Sequence, residues 1–220
     1  MKTLIDYKFA NVLVVAAHMD DEALFCGGTL RRLRDQGCEL SVVVTASVTV
    51  TNQPRDPLER IENESARQQR RLIAFGRACG MLDVQSTHLL ETHNCRGSYR
   101  EEPESNRILI ESEITERLEP LLKSLLPDVI VTHGRQGEYG HGQHILTSRV
   151  VRRLWPGSLW GFSADGPLFV EIDLSFKKRL LDCYRYGTTQ DPYWTPYTDI
   201  PSESSIGPWL GSTEPFREYT

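Results

Sequence analysis

Six consecutive apolar residues, Val12-Leu13-Val14-Val15-Ala16-Ala17, run straight into His18-Met19-Asp20-Asp21-Glu22. The run has the length and β-branched content of a strand buried on both faces. The imidazole and carboxylates that follow it cannot continue into an apolar core, because each would need a partner there. The two features together predict a buried strand with a polar loop at the carboxyl edge of its sheet. That loop holds the residue types of a metal site, with a carboxylate left over for moving a proton.

The rest of the chain repeats the pattern of strand, loop and helix. Ala23 to Gln36 has helical spacing through Leu24, Leu30 and Leu33 and stops at Gly37. Leu40 to Thr45, Val84 to Leu90 and Val129 to Thr132 read as further strands. A loop is expected from Ser47 to Pro57, then a helix from Leu58 to Gly80 with its buried stripe on Ile61, Leu72, Ile73 and Phe75. Asn106 to Leu126 and Gln143 to Leu154 read as helices, the first with Ile108, Ile114, Leu118, Leu121, Leu122 and Leu125 as its apolar residues. Ser158 to Phe162 and Leu168 to Leu174 read as strands, and Ser175 to Tyr186 as a helix. This order predicts an α/β, Rossmann-like fold: a mostly parallel sheet with helices on both faces, a small antiparallel extension and an irregular C-terminal tail. We expect a single domain over residues 1–190, with residues 191–220 packed on the body or at a subunit contact of a homo-oligomer. Trp155, Trp160, Trp194 and Trp209 read as core or interface anchors, with ring stacking on a sugar as the alternative for Trp194.

The formal charge of −5 and pI near 5.7 exclude nucleic acid and anionic membrane as main partners, since no basic field would gather phosphates. The five cysteines are an odd number without CxxC spacing, so neither a disulfide framework nor a thiolate cluster is expected. Cys26, Cys38 and Cys79 read as small apolar residues. No stretch approaches the length of a membrane span and no leader-like apolar run opens the chain. The expectation is a soluble, cytoplasmic protein.

Two polar loops complete the chemistry. Glu91 to Ser105 has no periodicity and holds His93, Asn94, Arg96 and Tyr99; it is a candidate substrate loop. After the fourth strand comes Thr132-His133-Gly-Arg135-Gln-Gly-Glu138-Tyr139-Gly140-His141-Gly-Gln143-His144. His141 and His144, three apart at a helix start, can face one cavity. With His18 and Asp21 they supply two histidines and a carboxylate around a metal, and on chemical grounds either His141 or His144 could complete the set. Arg135 is placed to meet an anionic substrate group. His93 and His133 fall either in the pocket or on the surface.

Ala17 to Glu22, AHMDDE, and Tyr139 to His144, YGHGQH, resemble the two signatures of the zinc-dependent LmbE-like N-deacetylases, the family of the N-acetylglucosaminyl-phosphatidylinositol de-N-acetylases. Ile172 to Ser175, Lys178 and Thr189-Gln190 are similar to that family's late strand, helix and ending. The resemblance implies one zinc per chain on His18, Asp21 and His144, with Asp20 as general base. It also implies that protonated His141 stabilises the tetrahedral intermediate, helped by Tyr139. Glu22 is expected behind the ligands or capping the helix. The implied reaction is removal of the N-acetyl group from an amino sugar or amino-sugar conjugate, a small-molecule substrate contacted by Arg135, His93 and Asn94. Met19 replaces the usual proline, and Thr45-Ala46-Ser47 stands where Thr-x-Gly is common. The expected Arg-x-x-Glu of the next helix has only partial counterparts at Arg60, Arg67 and Arg70. These departures fall on the substrate side, which keeps removal of a different acyl group as an alternative. A non-catalytic sugar- or nucleotide-binding module is disfavoured, because the first βα turn has no G-x-G-x-x-G.

Overall fold

The computed structural model describes residues 2–46, 64–95, 97–184 and 207–219. The strands are β1 (Asn11–Ala16), β2 (Glu39–Ala46), β3 (Ser86–Thr92), β4 (Val129–Thr132), β5 (Ser158–Phe162), β6 (Leu168–Glu171) and β7 (Thr213–Tyr219). The longer helices are α1 (Asp21–Asp35), α2 (Glu64–Met81), α3 (Glu104–Leu125), α4 (Gly142–Leu154) and α5 (Leu174–Asp182). One sheet takes the order β3-β2-β1-β4-β5-β7-β6, parallel from β3 through β5 and antiparallel where β7 meets β5 and β6. The expected mostly parallel sheet with an antiparallel extension is what forms.

Alternation along β1 divides the core. Val12, Val14 and Ala16 pack on one face with α1, α2 and α5. Leu13 and Val15 pack on the other with α3 and α4. Both faces are buried, which is why the strand reads as a continuous apolar run. Close approach to α1 depends on two glycines: a Cβ on Gly27 would collide with Leu180 of α5, and one on Gly28 would lie 2.5 Å from Ile172 Cβ, between β6 and α5.

Three sequence expectations are corrected. On α2, Phe75 is buried as expected, but Leu72 and Ile73 are 41% and 50% exposed, and Ala74, Ala78 and Cys79 meet the sheet beside Phe75 instead. Small side chains let the helix sit close, so its largest aliphatics turn outward; Ile61 and the loop from Ser47 lie outside the described residues. On α3 the buried row is Ile110, Ile114, Leu118 and Leu122, while Ile108 is exposed. The tail is not irregular throughout: Thr213–Tyr219 forms β7, inserted between β5 and β6. Trp160 and Trp209 are fully buried as core anchors, whereas Trp155 is partly exposed and Trp194 lies outside the described residues.

The chain leaves β1 toward β2 on one side and reaches β4 on the other, so the sheet switches direction at β1/β4, where α/β sheets place ligands. Val15 is paired with Thr132. The loops starting at Ala17 and His133 therefore emerge side by side.

Candidate active site

That register brings the distant motifs together. His18 Nδ1 lies 3.2 Å from His144 Nε2 and 3.6 Å from Asp21 Oδ2, and His144 Nε2 lies 3.6 Å from Asp21 Oδ1. The other ring nitrogens are already committed. His18 Nε2 faces Asn94 Oδ1 at 3.3 Å, and His144 Nδ1 faces Glu138 Oε2 at 2.5 Å. Both contacts call for an N–H, so lone pairs are left on His18 Nδ1 and His144 Nε2, pointing at each other beside a carboxylate. An electron-rich convergence of this kind suits a cation, and the separations match the roughly 3.3 Å between neighbouring ligands of a tetrahedral ion. His141 lies close by, its ring centroid 4.7 Å from that of His144 and 4.9 Å from that of His18.

Helix starts place these groups. His141 caps α4, its Nδ1 accepting the Gln143 N–H at 3.2 Å. Its free hydrogen therefore sits on Nε2. Burial and the neighbouring His144 and His18 imidazoles push the His141 pKa down to about 3. With Nδ1 accepting the Gln143 N–H, the ring is left with Nε2 as its donor, whereas the sequence led to an imidazolium. Asp20 precedes α1 with φ of 120°, a region costly for a residue bearing a Cβ. The strain is held by its carbonyl, which accepts the Ala23 and Leu24 N–H groups at 3.1 and 2.8 Å, and by its own N–H, which donates to Glu22 Oε2 at 3.1 Å. Glu22 is fully buried, also receives the Tyr184 hydroxyl, and is pushed by burial up to about 8.

Glu138 and His133 carry more than the sequence suggested. Glu138 Oε2 also receives His133 Nδ1 at 2.8 Å, and Oε1 receives the Gly134 N–H at 2.8 Å. Burial alone would raise its pKa, but the His133 imidazole and these hydrogen bonds hold it at about 2. His133 is fully buried; desolvation opposes its charge, yet Glu138 and Asp21 raise it to about 9. Its Nε2 accepts the Ala17 N–H at 2.9 Å and stands 3.2 Å from Asp21 Oδ2. Asp21 itself is pushed up by burial but held well below the usual carboxylate range by His144 and His133. The sequence signal available for this layer was local spacing: Glu138 stands five residues after His133 and six before His144.

The remaining expected residues divide. Tyr139 is 45% exposed, with its ring 5.3 Å from that of His144. Asn94 reaches the site, but through His18. The His93 imidazole instead pairs with Glu113 on α3 at 2.7 Å and is 69% exposed. Arg135 is exposed and stacks on Tyr219. The loop after β3 walls the site: Gly97 O accepts the Gly142 N–H at 2.8 Å, and Gln143 Oε1 accepts the Cys95 N–H at 2.9 Å.

The family model of the GlcNAc-PI de-N-acetylases (PIG-L) matches residues 13–155, which run from β1 to just past α4 and include both loops. The chain belongs to the PIG-L family. Among its relatives is the 1D-myo-inositol 2-acetamido-2-deoxy-alpha-D-glucopyranoside deacetylase of Corynebacterium diphtheriae, 30% identical over 158 residues, 69% of this chain and 53% of that one. The equally named protein of Thermobifida fusca is 26% identical over 171 residues, 68% of this chain and 58% of that one. The chain thus spans about half the length of the curated PIG-L relatives it matches. The N,N'-diacetylchitobiose deacetylase from Pyrococcus horikoshii shares the fold with a TM-score of 0.65 at 16% identity, covering 96% of this chain and 84% of that one. The 4-carboxy-2-hydroxymuconate hydratase GalB from Pseudomonas putida does so with a TM-score of 0.66 at 15% identity, covering 96% of each. The fold is therefore common to different chemistries, and the reading of function rests on the site.

Proposed function

We propose that this chain hydrolyses the N-acetyl amide of an amino sugar or amino-sugar conjugate, with one zinc ion held by His18, Asp21 and His144. The observation that carries this reading is the convergence of His18 Nδ1, His144 Nε2 and the Asp21 carboxylate within 3.2 to 3.6 Å, each imidazole fixed from behind by Asn94 or Glu138. Zinc bound there would supply polarisation of the amide carbonyl and a lowered water pKa of about 7. Asp20 takes a proton from the attacking water, and the new C–O bond forms at the acetyl carbon. His141 donates its Nε2–H to the oxygen that gains charge, a contribution typically of about 3 to 4 kcal/mol per donor. Tyr139, whose ring lies 5.3 Å from that of His144, adds a second donor in this reading. The C–N bond then breaks, Asp20 delivers the proton to the departing amine, and acetate leaves.

The curated relatives, named as deacetylases of an acetamido sugar joined to inositol, support this choice over a different acyl group. A cytoplasmic setting is supported by the five cysteines, all free thiols. Among the described residues no helix is long and apolar enough to cross a membrane.

Metal analysis of the purified chain together with a panel of N-acylated sugars, assayed by release of free amine, tests the reading. The expected result is close to one zinc per chain and turnover confined to N-acetyl substrates. A folded protein that takes up no divalent ion at His18 and His144 would end it.

A further inference from the structure

The loop that carries Glu138 has a second side. Together with the chain after β5 and the end of β7 it encloses a cavity of about 560 Å³, lined among others by Arg135, Gln136, Ser163, Asp165, Arg217 and Tyr219. Glu138 borders it, but its carboxylate is spent on His133, His144 and the Gly134 N–H. The cations are less well matched. Tyr219 lies with its ring centroid 5.2 Å from Arg135 Cζ and 4.3 Å from Arg152 Cζ, and its hydroxyl accepts the Arg135 backbone N–H at 3.3 Å. The ring fits against β5 because Gly161 has no Cβ to collide with it.

Neighbouring arginines show what is missing. Arg149 and Arg153 both pair with Glu111, at 2.8 and 3.2 Å. Among the described residues Arg135 and Arg152 have no carboxylate partner, and Arg152 Nη1 is buried without a hydrogen-bond acceptor. Arg217 Nη2 donates to the Asp165 carbonyl at 3.2 Å and lies 3.7 Å from that residue's carboxylate, which is 86% exposed. Arg152 does not border the cavity, so the cations an incoming anion would meet there are Arg135, without a carboxylate partner among the described residues, and Arg217. In a chain of net charge −5 this cluster is not part of a general basic field.

We propose that this cavity binds an oxyanion, a phosphate or carboxylate group, with Arg135 and Arg217 as the cationic contacts and Tyr219 as the platform that positions Arg135. Its assignment to the far end of the deacetylation substrate rests on the function proposed above; the anion site itself does not. Charged hydrogen bonds of this type favour an anionic ligand by about tenfold or more.

Calorimetric titration of inorganic phosphate into the zinc-loaded full chain at low salt tests the site directly. R135Q and R217Q are each expected to weaken binding by about tenfold. Equal affinity in wild type and both variants, as for phosphate held only at the metal, overturns the proposal. Kinetics with N-acetylglucosamine, N-acetylglucosamine 1-phosphate and N-acetylmuramic acid provide the second arm. R135Q should raise KM for a charged substrate about tenfold more than for the neutral one. A rise confined to the phosphorylated sugar identifies phosphate, and one confined to the muramic acid identifies carboxylate. Equal changes for all three refute a substrate anion site while leaving deacetylation intact. Absence of turnover alongside an R135Q-sensitive phosphate titration upholds the site and overturns its link to deacetylation.

Discussion

His144 Nδ1 lies 2.5 Å from Glu138 Oε2, and both side chains are shut off from solvent. The contact fixes the proton on Nδ1 and turns the Nε2 lone pair toward His18 and Asp21. Glu138→Gln removes the charge that holds this tautomer while keeping the shape. Metal affinity should fall by about 10- to 100-fold, measured by competition with a chelator. Unchanged affinity would show that His144 needs no orienting carboxylate.

Asn94 does the same for His18 with a weaker, neutral acceptor at 3.3 Å. Asn94→Ala should therefore lower metal affinity by less than Glu138→Gln, on the order of tenfold. An effect on KM alone, with metal binding intact, would return Asn94 to the substrate-contacting role expected from the sequence.

Asp20 sits on a strained backbone held by α1. Asp20→Asn should keep close to the wild-type metal content and lose about 10²- to 10⁴-fold in kcat, measured by amine release. Loss of the metal itself would make Asp20 a ligand or a structural residue rather than the base.

At the start of α5, Asp173 accepts the Ser175 hydroxyl and N–H at 2.7 and 2.8 Å and the Phe176 N–H at 3.1 Å. The Ser175 and Phe176 hydrogen bonds favour the carboxylate, so its folded-state pKa falls below 3.8. Their contribution to stability is complete above that value and fades as pH drops through the lower folded pKa. Asp173→Ala should lower the thermal midpoint at neutral pH by a few degrees. The gap to wild type should close in strong acid; a constant gap would mean that capping charge is not its cause.

Lys177 and Glu214 form an ion pair at 2.5 Å with both side chains fully buried, and Glu214 also accepts the Gly28 and Thr29 N–H groups at 3.0 and 2.7 Å. Lys177→Met strands a carboxylate in the core and should cost about 3 to 5 kcal/mol in denaturant unfolding. Lys177→Met/Glu214→Gln should recover part of that loss. A single variant as stable as wild type would show that backbone donors alone satisfy Glu214.

The sequence revealed the features that depend on neighbours in the chain. The apolar run before His18 announced a strand buried on both faces, and the spacing of His141 and His144 announced a helix start facing a cavity. His133 was opaque because its contact with Ala17 arises from the β1/β4 register, which joins positions over a hundred residues apart, whereas the partners of Glu138, His133 and His144, stand only five and six residues away. Strand β7 was opaque for another reason: Thr-Glu-Pro-Phe-Arg-Glu-Tyr has neither clean alternation nor an apolar run, and it holds a proline. Its place comes from antiparallel partners and a buried ion pair. The contact of His141 Nδ1 with the Gln143 N–H follows from the cap at the start of α4, which no spacing rule encodes.

The tie between Glu214 and α1 also bears on the order of assembly. Glu214 follows Lys177 by 37 residues, so during synthesis the lysine must wait for its counter-charge. The same carboxylate accepts N–H groups inside the helix that opens on Asp21, so one buried charge joins the last described strand to the helix that carries Asp21.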